Sequence, residues 1–473
     1  MNVNKITFLK SGYLYVIMGI FSIALFILSL HEGMFWDNVL FASEMGNHLY
    51  QKGIFNLLLP DAIDPGHPPL LAFILACFWK VLGHSLWVSH LAMLPFIFGF
   101  IIQLHRFVSY YVPNDIYRLA AVLLILADPT LSAQLLLVNP EIILLFFFFW
   151  ALNGILRENY RIKTIALAFL GITTLRGMML CSGLFLFDLF LLLRKNSFHF
   201  KSTLSLRFIG GYLISSLPSI TFIAWHYAEK GWVITHPGAQ WEGYSHLVSP
   251  TYFLYNCGIL IYRYIDFGRL FIFLFIGLTA LKFKSSIKEN ANKELFVLSI
   301  LSVLTIICTS LTITNPMGHR YFVVSYIVLI LIAFKLTEHY NRRKTIYIIL
   351  LTGLFTGNLW IYPTNISHGW DATLAHTPYF GLRRSAIQYL DSNNIKINQV
   401  ASFFPNETTI DNIDLNGDQR KFADFTGNNE YVMGSTVYNL SHEDRHLLET
   451  SYIPVRTFKK LNIDVTIYKK IAH

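Results

Sequence analysis

A carboxylate lies directly after two aromatic residues near the start of the chain. Asp37 follows Phe35 and Trp36 in the segment HEGMFWDNVL, which comes after a long apolar run. Apolar rings disfavour the charged form of a carboxyl group and raise its pKa toward neutral pH, where a general base works best. Asp37 is therefore a candidate catalytic base at the edge of a membrane.

The same aspartate also has a purely structural interpretation. The segment NVLFASEMGNHLYQKG, which follows Asp37, has the pattern of an amphipathic helix lying on a bilayer, with Glu44 and Lys52 facing water. Asp37 stands at the N-cap position of such a helix, where aspartate is a preferred residue. The local sequence leaves both interpretations open.

A zinc-protease pattern occurs near the C-terminus. His442, Glu443 and His446 in SHEDRHLLE form a literal H-E-x-x-H, in which two histidines on one helical face bind zinc and the glutamate activates water. Ser441 and Asp444, however, are typical of a solvated helix start with a serine N-cap. We interpret the segment as a helix start.

Metal sites elsewhere are not indicated either. The aromatic loop from Thr235 to His246 contains His236 and His246, but it lacks the tight carboxylate and histidine spacing of a metal site. We therefore predict no metal and no other cofactor, although a divalent cation is compatible with the chemistry inferred below.

The composition places these residues in a membrane protein. The chain has 473 residues, of which 54% are hydrophobic and 14% charged, and this excludes an ordinary soluble enzyme. Apolar runs long enough to cross a hydrocarbon core recur from residue 11 to residue 362. The formal charge of +9 comes from Lys and Arg in short loops between these runs. Membrane orientation explains such loops, so we predict no nucleic-acid partner.

The distribution of charge predicts the orientation. Basic clusters occur at residues 157–163, 194–207, 282–288 and 335–344, whereas residues 31–66 contain five acids and one base, Lys52. The positive-inside rule puts the basic clusters and the N-terminus in the cytoplasm and the acidic loop outside. We predict eleven to thirteen spans. Their parity does not close unless the short piece after His67 is re-entrant or one pair is miscounted.

Two domains are predicted. Residues 1–362 form the transmembrane domain, with outer loops at 31–67 and 226–266. Residues 363–473 contain strand-like stretches (NQVASFF, NEYVMGS, IDVTIYKK) and helix-like ones (RRSAIQYL, SHEDRHLLE), which are typical of a small α/β domain on the outer face. The predicted fold class is an all-α polytopic membrane protein with a small C-terminal α/β extracytoplasmic domain.

The chain returns to the membrane through a proline-rich segment. DPGHPPLLAF brings Asp64, His67, Pro68 and Pro69 to the start of the next apolar run. A first span, an outer loop that opens with Asp37 and this proline-rich return together resemble the GT-C superfamily of membrane glycosyltransferases. The likeness is to the protein O-mannosyltransferases and the bacterial lipid A aminoarabinose transferases. It covers the architecture of the whole chain, but its motifs are short.

The resemblance implies roles for particular residues. It implies that Asp37 is the base, although WDN replaces the acidic pair of many members, and that His67 helps to hold the donor phosphate. GHRYF, which contains His319, Arg320 and Tyr321, resembles the Arg-Tyr that opens a late span, so Arg320 becomes a phosphate contact. LADPTLSAQLLLVNPEIILLF resembles the segment before an acid-bearing span, whose acid is either of two residues, Asp128 or Glu141.

Arginine suits a phosphate because its planar fork can bind two oxygens. After Arg320, the candidates are Arg176 in TLRGMML and Arg263 in IYRYIDFGR. Arg176 interrupts an apolar run, and an ion inside a membrane is by default functional or paired. Arg263 has the alternative of snorkelling from an interfacial helix beside Asp266 and Arg269.

The function expected from this resemblance is sugar transfer from a polyprenyl-phosphate donor to a hydroxyl of an envelope glycan, lipid or protein, with inversion. Asp64, Asp128, Glu141, His319 and Tyr321 are candidates for the substrate cleft. The expected location is a bacterial inner membrane, with the C-terminus in the periplasm. A transporter or flippase of a lipid-linked sugar is the alternative function.

Overall fold

The computed structural model describes residues 11–196, 205–237, 242–283, 285, 289–314, 317–363, 366 and 368–471. Parts of the basic clusters at 194–207 and 282–288 lie outside these residues. Fifteen helices precede the tail in this part of the chain: α1 Ser11–Ser29, α2 Met45–Lys52, α3 Leu70–Leu82, α4 Leu86–Tyr111, α5 Asp115–Leu126, α6 Pro129–Leu136, α7 Pro140–Leu156, α8 Tyr160–Gly171, α9 Leu175–Lys195, α10 Leu206–Lys230, α11 Pro250–Ile265, α12 Leu270–Lys282, α13 Asn290–Ser310, α14 Val323–Leu336 and α15 Arg343–Thr356.

The tail forms the predicted small domain of helices and one sheet. Its elements are α16 Pro378–Ser392, β1 Val400–Ser402, α17 Ile410–Asp414, β2 Ala423–Asp424, β3 Tyr431–Ser435, α18 His442–Ser451, β4 Tyr452–Lys460 and β5 Ile463–Lys470. The strand order is β2-β1-β3-β5-β4, with β1 parallel to β2 and β3 and with β5 antiparallel to β3 and β4. Arg383 lies buried in this domain, where it pairs with Asp414 and donates to Asn406.

The tail domain packs on one end of the helical bundle, which we call the domain end. The Met34 N–H donates to the Ile413 carbonyl oxygen at 2.9 Å, and the Asn47 amide donates to Asn412 at 2.7 Å. The first contact joins the loop after α1 to α17, and the second joins α2 to α17. The loop that carries Asp37 is therefore fixed between the bundle and the tail domain.

Helix α3 does not cross the bundle. His90, near the start of α4, lies 2.9 Å from the Glu32 carbonyl oxygen just beyond the end of α1. Trp79, near the end of α3, donates to Ser89 in the same turn of α4 at 2.9 Å. The end of α3 is thus at the domain end, as is the loop from which α3 starts. The parity problem is resolved by this short piece after His67, which stays at one end.

Helix α11 also has both of its ends at the domain end. Before it, the Val248 N–H donates to the Thr312 carbonyl oxygen at 3.0 Å, and near its end the Arg263 Nε donates to the Met317 carbonyl oxygen at 2.9 Å. These two carbonyl groups belong to the same short connection between α13 and α14. A bend of 90° then separates α11 from α12.

The other end of the bundle is marked by a separate ion pair. Glu294, at the start of α13, accepts hydrogen bonds from Arg194 at the end of α9 and from Tyr111 at the end of α4. If α3 and α11 are set aside, each apolar segment of the described residues runs from one end of the bundle to the other, in a direction opposite to that of the segment before it. These segments are α1, α4, α5 with α6, α7, α8, α9, α10, α12, α13, α14 and α15. The described residues of the predicted basic clusters then lie at the end opposite the domain end.

The long apolar helices are fewer than the predicted spans. In the described residues, five helices are long and apolar enough to cross a membrane, and the number rises to seven if each of two bent pairs is one span. Three further apolar helices, Tyr13–Ser29, Leu70–Leu82 and Pro140–Leu156, are shorter. The expected eleven to thirteen spans exceed this number because several apolar runs form short or broken helices. One break, of 77°, separates α5 from α6 where Asp128 caps α6.

Candidate active site

Arg320 is the centre of a charged cluster at the domain end. Its Nη1 donates to the Asp371 carboxylate at 2.5 Å, and its Nη2 donates to Asp37. Its Nε lies 3.4 Å from the carboxylate of Glu141. These carboxylates come from the loop after α1, the start of α7 and the tail. Arg320 therefore joins the bundle, the first loop and the tail segment.

A second arginine belongs to the same cluster. Arg176 pairs with Glu141, and its guanidinium carbon lies 4.3 Å from the centre of the Tyr321 ring. A cavity with apolar and charged walls opens between these side chains. Its lining consists of Glu141, Leu144, Leu145, Arg176, Leu180, Arg320, Tyr321, Val323 and Val324.

Helix starts position three of these charged groups. Glu141 is the second residue of α7, after the Asn139 N-cap that accepts the Ile142 N–H. Arg176 is the second residue of α9, and Arg320 lies in the 3-10 turn that leads into α14. The positive end of a helix dipole favours an anion such as Glu141 and opposes a cation. The two arginines are stabilised at these sites by their carboxylate partners.

The sequence left two interpretations of Asp37, and the N-cap interpretation is wrong. The Asp37 side chain bonds Arg320, and the following helical turn begins as a π-helix, Val39–Glu44, with Asn38 as the residue before it. Glu44 is half-buried and does not face open water as the amphipathic pattern predicts, because it packs on the tail domain at Thr408.

Aromatic packing fixes the loop in front of Asp37. Phe35 is fully buried and stacks on His376 with 4.8 Å between the ring centres. Trp36 has a φ of 52°, in the left-handed region that bulky residues seldom adopt. Such strain persists only where the surroundings impose it. The backbone that carries Asp37 is thus held by contacts to the tail.

Asp371 is the member of the cluster that the sequence reasoning missed. Burial raises the pKa of this carboxyl group, and the neighbouring Asp37 and Glu141 act in the same direction. Its backbone oxygen also accepts a 2.8 Å hydrogen bond from Gln134 of α6. A signal was present in the sequence, because Trp370 and Asp371 repeat the Trp-Asp pair of the first loop.

His67 lies beside the cluster as a neutral side chain. Burial lowers its pKa to about 4, and Arg176 adds to this effect. Its Nδ1 accepts the Leu175 N–H at 3.3 Å, so the ring proton is on Nε2. His67 can contribute a hydrogen-bond donor at this site but no charge at neutral pH.

Three other predicted residues lie in a separate cluster. Asp128 caps α6 and pairs with the buried Arg269, with 2.8 Å between Asp128 Oδ2 and Arg269 Nε. His319 lies 2.8 Å from Asp266, and Arg263 donates to a backbone oxygen. The structure joins neither Asp128 nor Arg263 to Arg320. Of the two alternatives for the acid, Glu141 is the one in the cluster, because the Asp128 side chain is used by its own helix start and by Arg269.

Asp64 forms a third polar group with a histidine from α10. One oxygen lies 3.1 Å from His226 Nε2, and the other accepts the Gly66 N–H at 2.9 Å. This arrangement fixes the proline-rich turn against α10. Gly66, with a φ of 69°, passes so close to the Val233 carbonyl oxygen that a Cβ atom would lie 2.2 Å from it. The contacts of Asp64 thus shape the turn.

The H-E-x-x-H segment is a helix start, as interpreted. Ser441 caps α18 by accepting the Asp444 N–H at 3.0 Å, and His442, Glu443 and His446 are exposed. In the described residues, no group of three or more His, Cys, Asp or Glu side chains is arranged to hold a metal ion.

The Arg320 cluster has the components for phosphate chemistry. Two guanidinium groups offer planar sets of donors that fit phosphate oxygens. A carboxylate that is 41% exposed, Asp37, lies on one of them and can reach a water-borne group. Leu144, Leu145 and Leu180 form an apolar wall of the cavity, whose volume is about 10 Å³. The site therefore combines two arginines, a partly exposed carboxylate and an apolar wall.

The architecture is that of the GT-C fold, as the resemblance implied. Comparison with protein-family models gives no match, and comparison with curated proteins gives none either. Two crystal structures of ArnT, the lipid A aminoarabinose transferase, from Cupriavidus metallidurans are similar to this chain.

The similarity extends over nearly the whole length of both chains. The ArnT structure bound to undecaprenyl phosphate superposes with a TM-score of 0.54, and the apo structure with a TM-score of 0.55. Each has 12% sequence identity and covers 97% of this chain and 98% of the ArnT chain. At this identity the likeness shows a shared fold, so the membrane bundle with a C-terminal sheet domain is confirmed.

Proposed function

We propose that this protein is a membrane glycosyltransferase that moves a sugar from a polyprenyl-phosphate donor to an acceptor hydroxyl. The observation that carries the proposal is the Arg320 cluster, in which Arg320 and Arg176 lie with Asp37 beside an apolar cavity. A lipid-linked phosphate sugar needs an arginine site, a hydrocarbon wall and a nearby base. One of the two ArnT structures with this fold has undecaprenyl phosphate bound, which supports a donor of this kind.

In the proposed reaction, Asp37 takes the proton of the acceptor hydroxyl while its oxygen attacks the sugar carbon bonded to the phosphate. The bond between this carbon and the phosphate oxygen breaks, and the carrier phosphate leaves with the bonding electrons. Arg320 and Arg176 stabilise the charge that develops on the phosphate. Direct attack on the side opposite the phosphate inverts the configuration of the sugar carbon.

The other candidates take supporting roles. His67 accepts the Leu175 N–H through Nδ1, which leaves its Nε2–H as a donor for the carrier phosphate, and Tyr321 packs against the Arg176 guanidinium. Glu141 keeps both arginines in place, because it pairs with Arg176 and lies 3.4 Å from the Arg320 Nε. His319 positions the turn that carries Arg320 through its contact with Asp266.

The proposed location is the inner membrane of a bacterium, with the domain end facing the periplasm. The described residues of the basic clusters lie at the opposite end, which the positive-inside rule assigns to the cytoplasm. The N-terminus is then cytoplasmic and the tail domain periplasmic. The acceptor, an envelope glycan, lipid or protein, approaches from the periplasm on the exposed side of Asp37.

Native mass spectrometry of the protein in mild detergent tests the proposal. The expected result is a co-purified polyprenyl phosphate or polyprenyl-phosphate sugar, whose mass identifies the sugar. The Arg320→Ala variant should lose this carrier, whereas Arg420→Ala, which removes an exposed arginine of the tail domain, should retain it. If the wild type retains other lipids but no prenyl phosphate, the donor assignment is wrong, and a flippase of a lipid-linked sugar is disfavoured as well.

A further inference from the structure

The terminal nitrogens of the Arg320 guanidinium are both occupied by carboxylates. Nη1 donates to Asp371 and Nη2 donates to Asp37. Nε is buried and has no hydrogen-bond partner among the described residues. A phosphate binds an arginine fork best through two parallel N–H donors. Each terminal nitrogen keeps a second N–H, but a donor phosphate that binds Arg320 comes to lie beside carboxylates of the same charge, so it binds most favourably if one of them moves away.

The exposure of the carboxylates indicates which one moves. The Asp37 side chain is 41% exposed, whereas that of Asp371 is 12% exposed and that of Glu141 is 4% exposed. The Asp37 carboxylate already contacts water and can exchange the arginine for water, whereas the Arg320 side chain of the same pair is only 9% exposed and needs another anion in its place. A buried carboxylate that loses its partner pays a desolvation penalty of several kcal/mol. Asp37 is thus the exchangeable partner of Arg320.

We propose that the donor phosphate replaces Asp37 on Arg320, while Asp371 and Glu141 keep the guanidinium in place. Asp371 is then a positioning residue that the tail segment contributes to the active site. This inference rests on the proposed function and adds a coupling to it. Because Asp37 is released when the donor binds, the base becomes available for the acceptor hydroxyl only when a sugar donor is present.

The exchange makes two side chains of equal charge behave differently. On donor binding, the first loop loses its contact with Arg320, but the tail segment keeps its own. The Asp371 backbone is further held by Gln134 and by the turn that contains Trp370 and Ala372. The Asp37 segment should therefore become more mobile when the carrier binds, and the Asp371 segment should not.

Hydrogen exchange of the full-length protein, with and without undecaprenyl phosphate, measures this difference. We expect faster exchange in the peptide that covers residues 33–44 with the carrier present, and unchanged or slower exchange in the peptide that covers residues 368–377. Slower exchange in the first peptide on binding would overturn the proposal, because it would mean that Asp37 keeps its contact or gains one.

Affinity for undecaprenyl phosphate provides the second readout. Asp37→Asn removes the charge that competes for Arg320, so we expect the affinity to rise about fivefold, which corresponds to about 1 kcal/mol. The same substitution in an Arg320→Lys background should give no rise, because a lysine ammonium has no two-nitrogen fork. Asp61→Asn is the matched control, since Asp61 is a carboxylate of the same loop that pairs with Lys230.

The outcomes separate this proposal from the proposed function. If wild-type protein binds no undecaprenyl phosphate, both are refuted. If it binds, but the affinity is unchanged in Asp37→Asn, the exchange is refuted and the donor site stands. An equal rise in Asp61→Asn would show a general charge effect and would also overturn the exchange. A rise in Asp37→Asn alone, lost in the Arg320→Lys background, supports it.

Discussion

Substitution of Asp128 tests whether this acid belongs to the framework of the bundle. Asp128 accepts from the fully buried Arg269 through both oxygens, at 2.8 and 3.3 Å, and caps α6 by accepting the Leu131 N–H at 3.0 Å. Arg269 also bonds Thr130, and its guanidinium carbon lies 3.9 Å from the centre of the Tyr326 ring. These contacts join the α5–α6 break to the bend before α12.

The expected cost follows from the burial of this pair. Removing one partner of a buried ion pair costs about 3–5 kcal/mol, because the other charge is left uncompensated. Asp128→Asn removes the charge but keeps an oxygen that can cap α6, so the cap contribution of about 1 kcal/mol is retained. We therefore expect Asp128→Asn to lower the free energy of unfolding by about 3 kcal/mol and Asp128→Ala to lower it by about 4 kcal/mol.

Denaturant titration in detergent micelles, followed by tryptophan fluorescence, measures these differences. Asp115→Asn is the matched control, because Asp115 also lies at a helix start and pairs with an arginine, Arg118, but its side chain is 63% exposed. Its cost should be below about 1 kcal/mol. Combining Asp128→Asn with Arg269→Met should recover most of the loss, since no buried charge then remains unpaired.

Two results would refute this reasoning. One is a cost for Asp128→Asn no larger than that of Asp115→Asn, which would mean that the pair is hydrated in the membrane-embedded protein. The other is loss of binding to undecaprenyl phosphate with unchanged stability. Asp128 would then belong to the donor site, as the sequence had allowed.

Three further predictions concern residues outside the Arg320 cluster. Burial raises the pKa of Glu32 to about 8, so between pH 4.5 and 8 the folded protein holds a proton that the unfolded chain has lost, and the free energy of unfolding falls as the pH rises through this range. Glu32→Gln should remove this fall in a series of thermal unfolding curves, and an unchanged pH dependence in the variant would refute the prediction. Arg263→Ala should leave the affinity for undecaprenyl phosphate within about twofold of the wild-type value, because the Arg263 side chain bonds the Met317 backbone. A loss of about tenfold would show that Arg263 contacts the donor. Ser441→Ala should lower the free energy of unfolding by about 1 kcal/mol, because the N-cap of α18 is lost. Zinc should not change the melting temperature of the wild type, and stabilisation by zinc would contradict the helix-start interpretation.

The sequence was most informative where a charge interrupts an apolar run. Arg176 was recognised because an ion inside a membrane is costly without a partner or a role, Asp37 from its place after two aromatic residues, and Arg320 from the resemblance of GHRYF to a family motif. The structure brings all three into one cluster, together with Glu141. Their meeting could not be derived from spacing, because the four residues come from separate helix starts and a loop.

Other acids and bases were harder to place, since a helix start and a catalytic site use the same residue types. Asp128 has the sequence context of an N-cap followed by proline, and this local role, with Arg269, is the one the structure shows. His319 is next to Arg320 in sequence, yet its side chain contacts Asp266. Neighbouring residues in a 3-10 turn point in different directions, which the sequence does not reveal.

Asp371 shows the limit of dividing the chain into domains. It follows the last apolar run and was assigned with the tail, whereas its side chain completes the cluster around Arg320. Alternation and capping predicted β1, β3 and β5 and the helices α16 and α18, whereas β2, β4 and α17 were not predicted. The contact between tail and bundle depends on long-range packing, which local patterns do not encode.

The central claim is that Asp37 is the base of a sugar transfer from a polyprenyl-phosphate donor. The most direct test follows a radiolabelled sugar as it leaves this carrier in membranes that contain the wild-type protein or Asp37→Asn, with binding of undecaprenyl phosphate measured in parallel. The account predicts that Asp37→Asn retains carrier binding and loses transfer by about a hundredfold or more. Transfer at the wild-type rate by Asp37→Asn would contradict it.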